Sequence, residues 1–153
     1  MSPWSTGKDR IEELIAAKKL TPLVGADAGV AGHMSRARQQ LKSATLLLEQ
    51  DPVTAYVVAY DDARHAAVAI LAEQDLRVTA AGGHVAVEQA INAQFGGVFS
   101  TFSRLRRRRN ELDYPVGPED FADNAEAAAA ISTATEIVDN AERILEQGVL
   151  TRF

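Results

Sequence analysis

Apolar residues spaced for helices, with no stretch spaced for a strand, limit this chain more than any other feature. Ala127, Ile131, Ala134, Val138, Ala141 and Leu145 recur at steps of three and four residues, and Met34, Ala37, Leu41, Ala44 and Leu48 do the same. That spacing returns one face of an α-helix to the core, whereas a half-buried strand would alternate with a period of two. Alanine dominates the apolar residues and aromatics make up only 6% of the chain. Alanine has the highest helix propensity and lets helix backbones approach closely, so a tightly packed all-α bundle follows.

The breaks between helices are marked by capping and turn residues. Asp9 to Leu20 is a short amphipathic segment with Ile11, Leu14 and Ile15 on one side, closed by Pro22 and Gly25. A helix starts at Asp27 or Met34 and runs to Gln50. Asp51-Pro52 pairs an N-cap residue with a proline suited to the first helical position, and the helix it opens reaches Gln74. Gly82-Gly83 reads as a plain turn. A long helical stretch follows from His84 to Tyr114 with a bend at Gly96-Gly97, and a last helix runs from Glu119 to Gln147. Short turns between long helices imply antiparallel neighbours. The expected architecture is an up-and-down four-helix bundle with an additional short N-terminal helix, formed by residues 8–153 behind a loose arm of residues 1–7.

Composition excludes several functions. The chain has no cysteine, which removes disulfides, thiolate metal sites and cysteine nucleophiles and suits a reducing compartment. The first residues lack the pattern of a signal peptide and no apolar run is long enough to span a bilayer, so a cytoplasmic protein without membrane contact is expected. The three histidines, His33, His65 and His84, lack metal-site spacing. Neither a metal nor a cofactor is expected. His33 and His84 read as surface or capping residues. A net charge of −5 argues against non-specific nucleic-acid binding over the whole surface, yet five of the 16 basic residues fall within Arg104–Arg109.

Two charged interruptions of apolar stripes mark the candidate site. Phe95, Val98, Phe102, Leu105, Arg109, Leu112 and Val116 form one stripe, with arginine where a core residue belongs. Arg106 to Arg109 sweep about 300° around a helix, so they cannot share one solvated face, and Arg109 is the one expected to point inward. An inward guanidinium needs a carboxylate, a phosphate or water. On the preceding helix, Asp61 and Arg64 interrupt Val57, Val68 and Leu71. Asp61 is the natural mate for Arg109 if the helices adjoin, while Asp61 and Arg64, three apart, are equally able to pair with each other. Tyr56 and Tyr60 are expected in the core or at a dimer interface.

The run Arg109-Asn110-Glu111-Leu112-Asp113-Tyr114-Pro115 resembles the HEPN family, whose members carry an arginine, often an asparagine, and then a histidine four to six positions later, near the end of the penultimate long helix. Tyr114 stands where that histidine is expected. Ala55-Tyr56 and Tyr60-Asp61-Asp62-Ala63-Arg64 on the preceding alanine-rich helix extend the resemblance, which covers Met34 to Gln147.

The resemblance implies a homodimer whose two motifs face one cleft and cut RNA without metal, through attack of the ribose 2′-hydroxyl on the adjacent phosphate. Arg109 would stabilise charge on the phosphate oxygens, Asn110 would orient the phosphate or the partner motif, and proton transfer would fall to Tyr114, Asp113 or His65. Asp61 and Arg64 would support the site, and Arg104, Arg106, Arg107 and Arg108 would hold the RNA backbone. A toxin restrained by a nucleotidyltransferase-type antitoxin, which modifies a tyrosine such as Tyr114, is the leading expectation. The alternatives are a non-catalytic HEPN module that binds nucleotide or RNA, and a helical adaptor whose arginines meet an acidic protein.

Overall fold

Every element of the structure is set around one central helix. The computed structural model describes residues 4–153, except the side chain of Ala28. Among these residues the helices are α1 (Lys8–Ala16), α2 (Val30–Leu47), α3 (Pro52–Glu73), α4 (Gly83–Phe95), α5 (Ser100–Asp113) and α6 (Asn124–Glu146). The central one is α3. Its Ala55, Ala59, Ala63, Ala66, Ala67, Ala69 and Ala72 are all buried, and these small side chains let α2 and α6 lie close against it. Its start is set locally, as expected. Asp51 Oδ1 accepts the Thr54 N–H at 3.1 Å and Pro52 occupies the first turn.

The chain forms the expected all-α helical bundle. α2 and α6 run in opposite directions, since Asn124 reaches the Leu48 carbonyl (3.2 Å) while Arg38 pairs with Asp139 (2.9 Å) and with Glu142. The seams fall on the core side: Ala37, Ala44, Ala127, Ala134, Val138 and Ala141 are buried. Tyr56 and Tyr60 are core residues.

The segment expected as one bent helix is instead two helices folded back on each other. Asn92 donates to Ser103 Oγ at 3.0 Å, and Glu88 is paired with Arg106, 18 residues away. A straight helix would hold that second pair about 27 Å apart, at about 1.5 Å per residue. Gly96, with φ 47°, makes the reversal, a conformation that costs glycine little. α4 itself runs in the sense of α3, because His84 near its start meets Tyr60 and Gln94 near its end meets Gln74. α2, α3, α5 and α6 therefore alternate in direction, and α4 is the crossover that makes this possible.

Other boundaries also differ from the sequence expectation. β1 (Leu20–Pro22) and β2 (Leu76–Val78) pair antiparallel, with Thr21 opposite Arg77. No strand was expected, because three residues are too short to display a period of two. Gly82 sits under this ribbon, and a Cβ there would come within 2.2 Å of the Lys19 carbonyl oxygen. α6 starts at Asn124 rather than Glu119. Asp123 caps it by accepting the Glu126 N–H at 2.8 Å, while Pro118–Asp120 is a separate 3₁₀ turn. Val98 and Val116 leave the apolar stripe: one lies in the reversal and the other beyond the end of α5, and both are exposed.

Met1 to Pro3 of the expected arm lie outside the described residues. Trp4 is docked: its N–H donates to Thr151 Oγ1 (2.7 Å), its indole donates to Gln94 Oε1 (2.9 Å), and its ring stacks on Phe95. Among the described residues no helix is long and apolar enough to cross a membrane.

Candidate functional site around α5

Helix α5 presses Phe102, Leu105 and Leu112 into the core, which leaves its arginines on the two flanks. They do diverge, as their angular spread requires. Arg106 reaches Glu88 on α4; Arg108 reaches Glu126 on α6 (2.5 Å) and Glu111 (3.1 Å); Arg109 holds Asp113 one turn on (2.5 Å). Arg104 and Arg107 are exposed and pair with no carboxylate among the described residues. Asn110 is exposed, and Tyr114 is 82% exposed just beyond the helix end.

The pair expected between Asp61 and Arg109 does not form. Asp61 lies beside Arg64 instead, 3.8 Å from its Nε, because three residues along one helix bring the two side chains together at no cost in tertiary geometry. Arg109 is directed only partly inward: its side chain is 27% exposed, but its Nε is buried and without a hydrogen-bond partner. The Nε of Arg64 is in the same condition. Two guanidinium N–H groups are thus sealed and unspent on the α3–α4 side of α5.

Close enough to both arginines to feel their charge is a residue that the sequence placed only at a surface or a cap. His84, the second residue of α4, places Nδ1 2.8 Å from the Tyr60 hydroxyl, and Tyr60 in turn stacks between the His84 and Phe102 rings. Burial lowers the His84 pKa first; Arg64, Arg109 and Arg106 lower it further, and Asp61 opposes them. Burial also raises the pKa of Tyr60, so its hydroxyl keeps its proton at neutral pH. His84 and Tyr60 are 24 residues apart, so no spacing rule connects them. The signal that was present is Gly96-Gly97: read as a reversal, it places the start of α4 beside the end of α5.

His65 is occupied elsewhere. Its Nδ1 is 3.3 Å from Nδ1 of His33, and the two rings stack. Burial, Arg64 and His33 push the His65 pKa down to about 4, and His33 is lowered by burial and Arg64. Neither His33 nor His84 is therefore a free surface residue. Among the described residues no group of three or more His, Cys, Asp or Glu side chains converges as a metal site.

The opposite flank of α5 opens a groove of about 500 Å³ against α6, where Tyr56, Arg104, Arg107, Arg108, Glu126 and Thr133 are among the lining residues. Burial, reinforced by Glu126, raises the Tyr56 hydroxyl to about 12. Arg108 donates hydrogen bonds to Glu126 and Glu111, which raise its pKa and hold it as a fixed wall. No family model, curated protein or solved structure matches this chain.

Proposed function

We propose that this chain is a HEPN-type endoribonuclease that cuts RNA without metal, as the toxin of a pair with a nucleotidyltransferase-type antitoxin, and that it works as a homodimer in the cytoplasm. The observation that carries the reading is His84 set among Arg64, Arg106 and Arg109, with the sealed Nε groups of Arg64 and Arg109 beside it. A phosphodiester is the anion such a set would hold, since guanidinium groups match its oxygens and the Arg64 and Arg109 side chains each stay 27% exposed. In this reading His84 supplies from α4 the imidazole that the motif lacks at Tyr114, as a hydrogen-bond donor to the phosphate rather than as the base. The 2′-oxygen attacks phosphorus, Asp113 takes the 2′-proton once the phosphate draws Arg109 from it, and the 5′-oxygen leaves with a proton from water. Arg104 and Arg107, exposed and uncommitted, attract the RNA backbone.

One observation favours a second reading, a non-catalytic module that binds RNA. Arg106, Arg108 and Arg109 already hold carboxylates, and Tyr114 extends into solvent, so neither charge nor acid–base chemistry is fully assembled in one copy.

The deciding experiment incubates purified protein with total RNA and tRNA in EDTA, beside Arg109→Ala, His84→Ala and Tyr114→Phe. Cleavage with 2′,3′-cyclic phosphate ends, lost in the first two variants and retained in the third, is the expected result. RNA retained without cleavage by the wild type would leave the binding module, and absence of both would end the RNA reading.

A further inference from the structure

We infer that Tyr60 is a positioning residue that holds His84 as the tautomer with its proton on Nε2, so that the open edge of His84 meets a phosphate oxygen as a hydrogen-bond donor. The choice of phosphate rests on the proposed RNA function; the tautomer does not.

The argument begins with the burial of Tyr60. Its side chain is fully buried, so its hydroxyl has no access to water, and among the described residues its one hydrogen-bond partner is His84 Nδ1 at 2.8 Å. A phenol O–H is one donor and must find an acceptor. If Nδ1 carried the imidazole proton, it would donate to the tyrosine oxygen and leave the O–H sealed against the Phe102 ring with no acceptor. Leaving such a buried donor unsatisfied carries its full desolvation cost. If Tyr60 donates instead, Nδ1 supplies its lone pair, both groups are satisfied, and the proton of the neutral ring resides on Nε2.

Nε2 is the atom left for a ligand. It makes no hydrogen bond within the protein among the described residues and is not among the sealed polar atoms, so it reaches solvent. Protonation of the ring is opposed by burial and by Arg64, Arg109 and Arg106, with Asp61 alone in favour. His84 sits in the first turn of α4, where the helix dipole also disfavours a cation. A neutral imidazole with its N–H outward stabilises developing negative charge and cannot take the 2′-hydroxyl proton, which is why that task falls to Asp113.

Long-range proton–nitrogen NMR correlation of the histidine rings at neutral pH tests this directly. The wild type should show His84 with a pyrrole-like Nε2 and a pyridine-like Nδ1. Tyr60→Phe, which keeps the ring stack and removes only the hydroxyl, should show a mixture of tautomers. Inorganic phosphate should then shift the wild-type Nε2 signal more than either nitrogen of His33 or His65. A pyrrole-like Nδ1 in the wild type would overturn the inference even if Tyr60→Phe fails to fold. The expected tautomer with an Nε2 signal indifferent to phosphate would overturn the donor role. Absence of RNA cleavage alongside the expected NMR pattern would count against the ribonuclease reading only.

Discussion

The α2–α3–α6 core and the α4–α5 hairpin handle charge in opposite ways. In the hairpin the carboxylates are matched: half-buried Glu88 with Arg106 and exposed Asp113 with Arg109. In the core, Asp62 is fully buried and neither of its carboxyl oxygens has a hydrogen-bond partner. Burial, with Asp61 adding to it, pushes the Asp62 pKa up to about 8, against the pull of Arg38. Alanine packing explains the contrast. The small side chains of α3 bury Asp62 completely, and Arg38, the cation that acts on it, is already held by Asp139 and Glu142, whereas the arginines of α5 lie on its flanks within reach of carboxylates. The proposed site accordingly draws on the arginines of the hairpin, and the unpaired buried charge belongs to the core.

The largest expected effect tests the core. Asp62 binds its proton in the folded state up to about pH 8 but loses it near pH 4 when unfolded. Stability should therefore fall as pH rises from about 4 to about 8, because the unfolded state alone gains the ionised form. Asp62→Asn should flatten that slope and stabilise the protein at pH 7 by up to about 4 kcal/mol, measured by denaturant titration across the pH range. RNA cleavage should be unchanged. An unaltered slope would remove the contrast between the two regions.

Arg109→Ala makes the complementary test. It should lower RNA cleavage by about 100-fold, on the order of 3 kcal/mol in the barrier, while Tm moves by no more than a few degrees. A collapse in Tm would make Arg109 a structural residue. Arg107→Ala, on the exposed flank, should weaken RNA binding severalfold and reduce its salt dependence without touching the chemical step.

Smaller effects concern the backbone. Gly82→Ala should cost about 1–3 kcal/mol, because its Cβ must push the Lys19 carbonyl and with it the β1–β2 ribbon. Gly96→Ala meets open space but keeps a positive φ, so its expected cost is about 1 kcal/mol in thermal unfolding. If Gly96→Ala reduces cleavage more than stability, the reversal positions His84 against α5 as proposed.

The arrangement of α5 shows where sequence reading succeeds and stops. The divergence of Arg106 to Arg109 follows from helical angles, and so the helix could not bury or expose them together. Which carboxylates received them did not follow: Glu88 and Glu126 each lie 18 residues from their arginines. Arg64 took Asp61 because the two share one helix, and that local pairing defeated the expected bridge from Asp61 to Arg109.

What the amino-acid sequence determined by itself is whatever depends on neighbours within about a helical turn. The helical seams, the Asp51-Pro52 cap and the interruption at Gly96-Gly97 are of this kind, since propensity, capping and φ preference act over a few residues. Tertiary structure alone decided that the interruption is a reversal, that three-residue strands pair across 56 residues of chain from Thr21 to Arg77, and that His84 lies against Tyr60. Each of these depends on which faces meet once the alanine core closes, and packing at a distance leaves no period in the sequence to read.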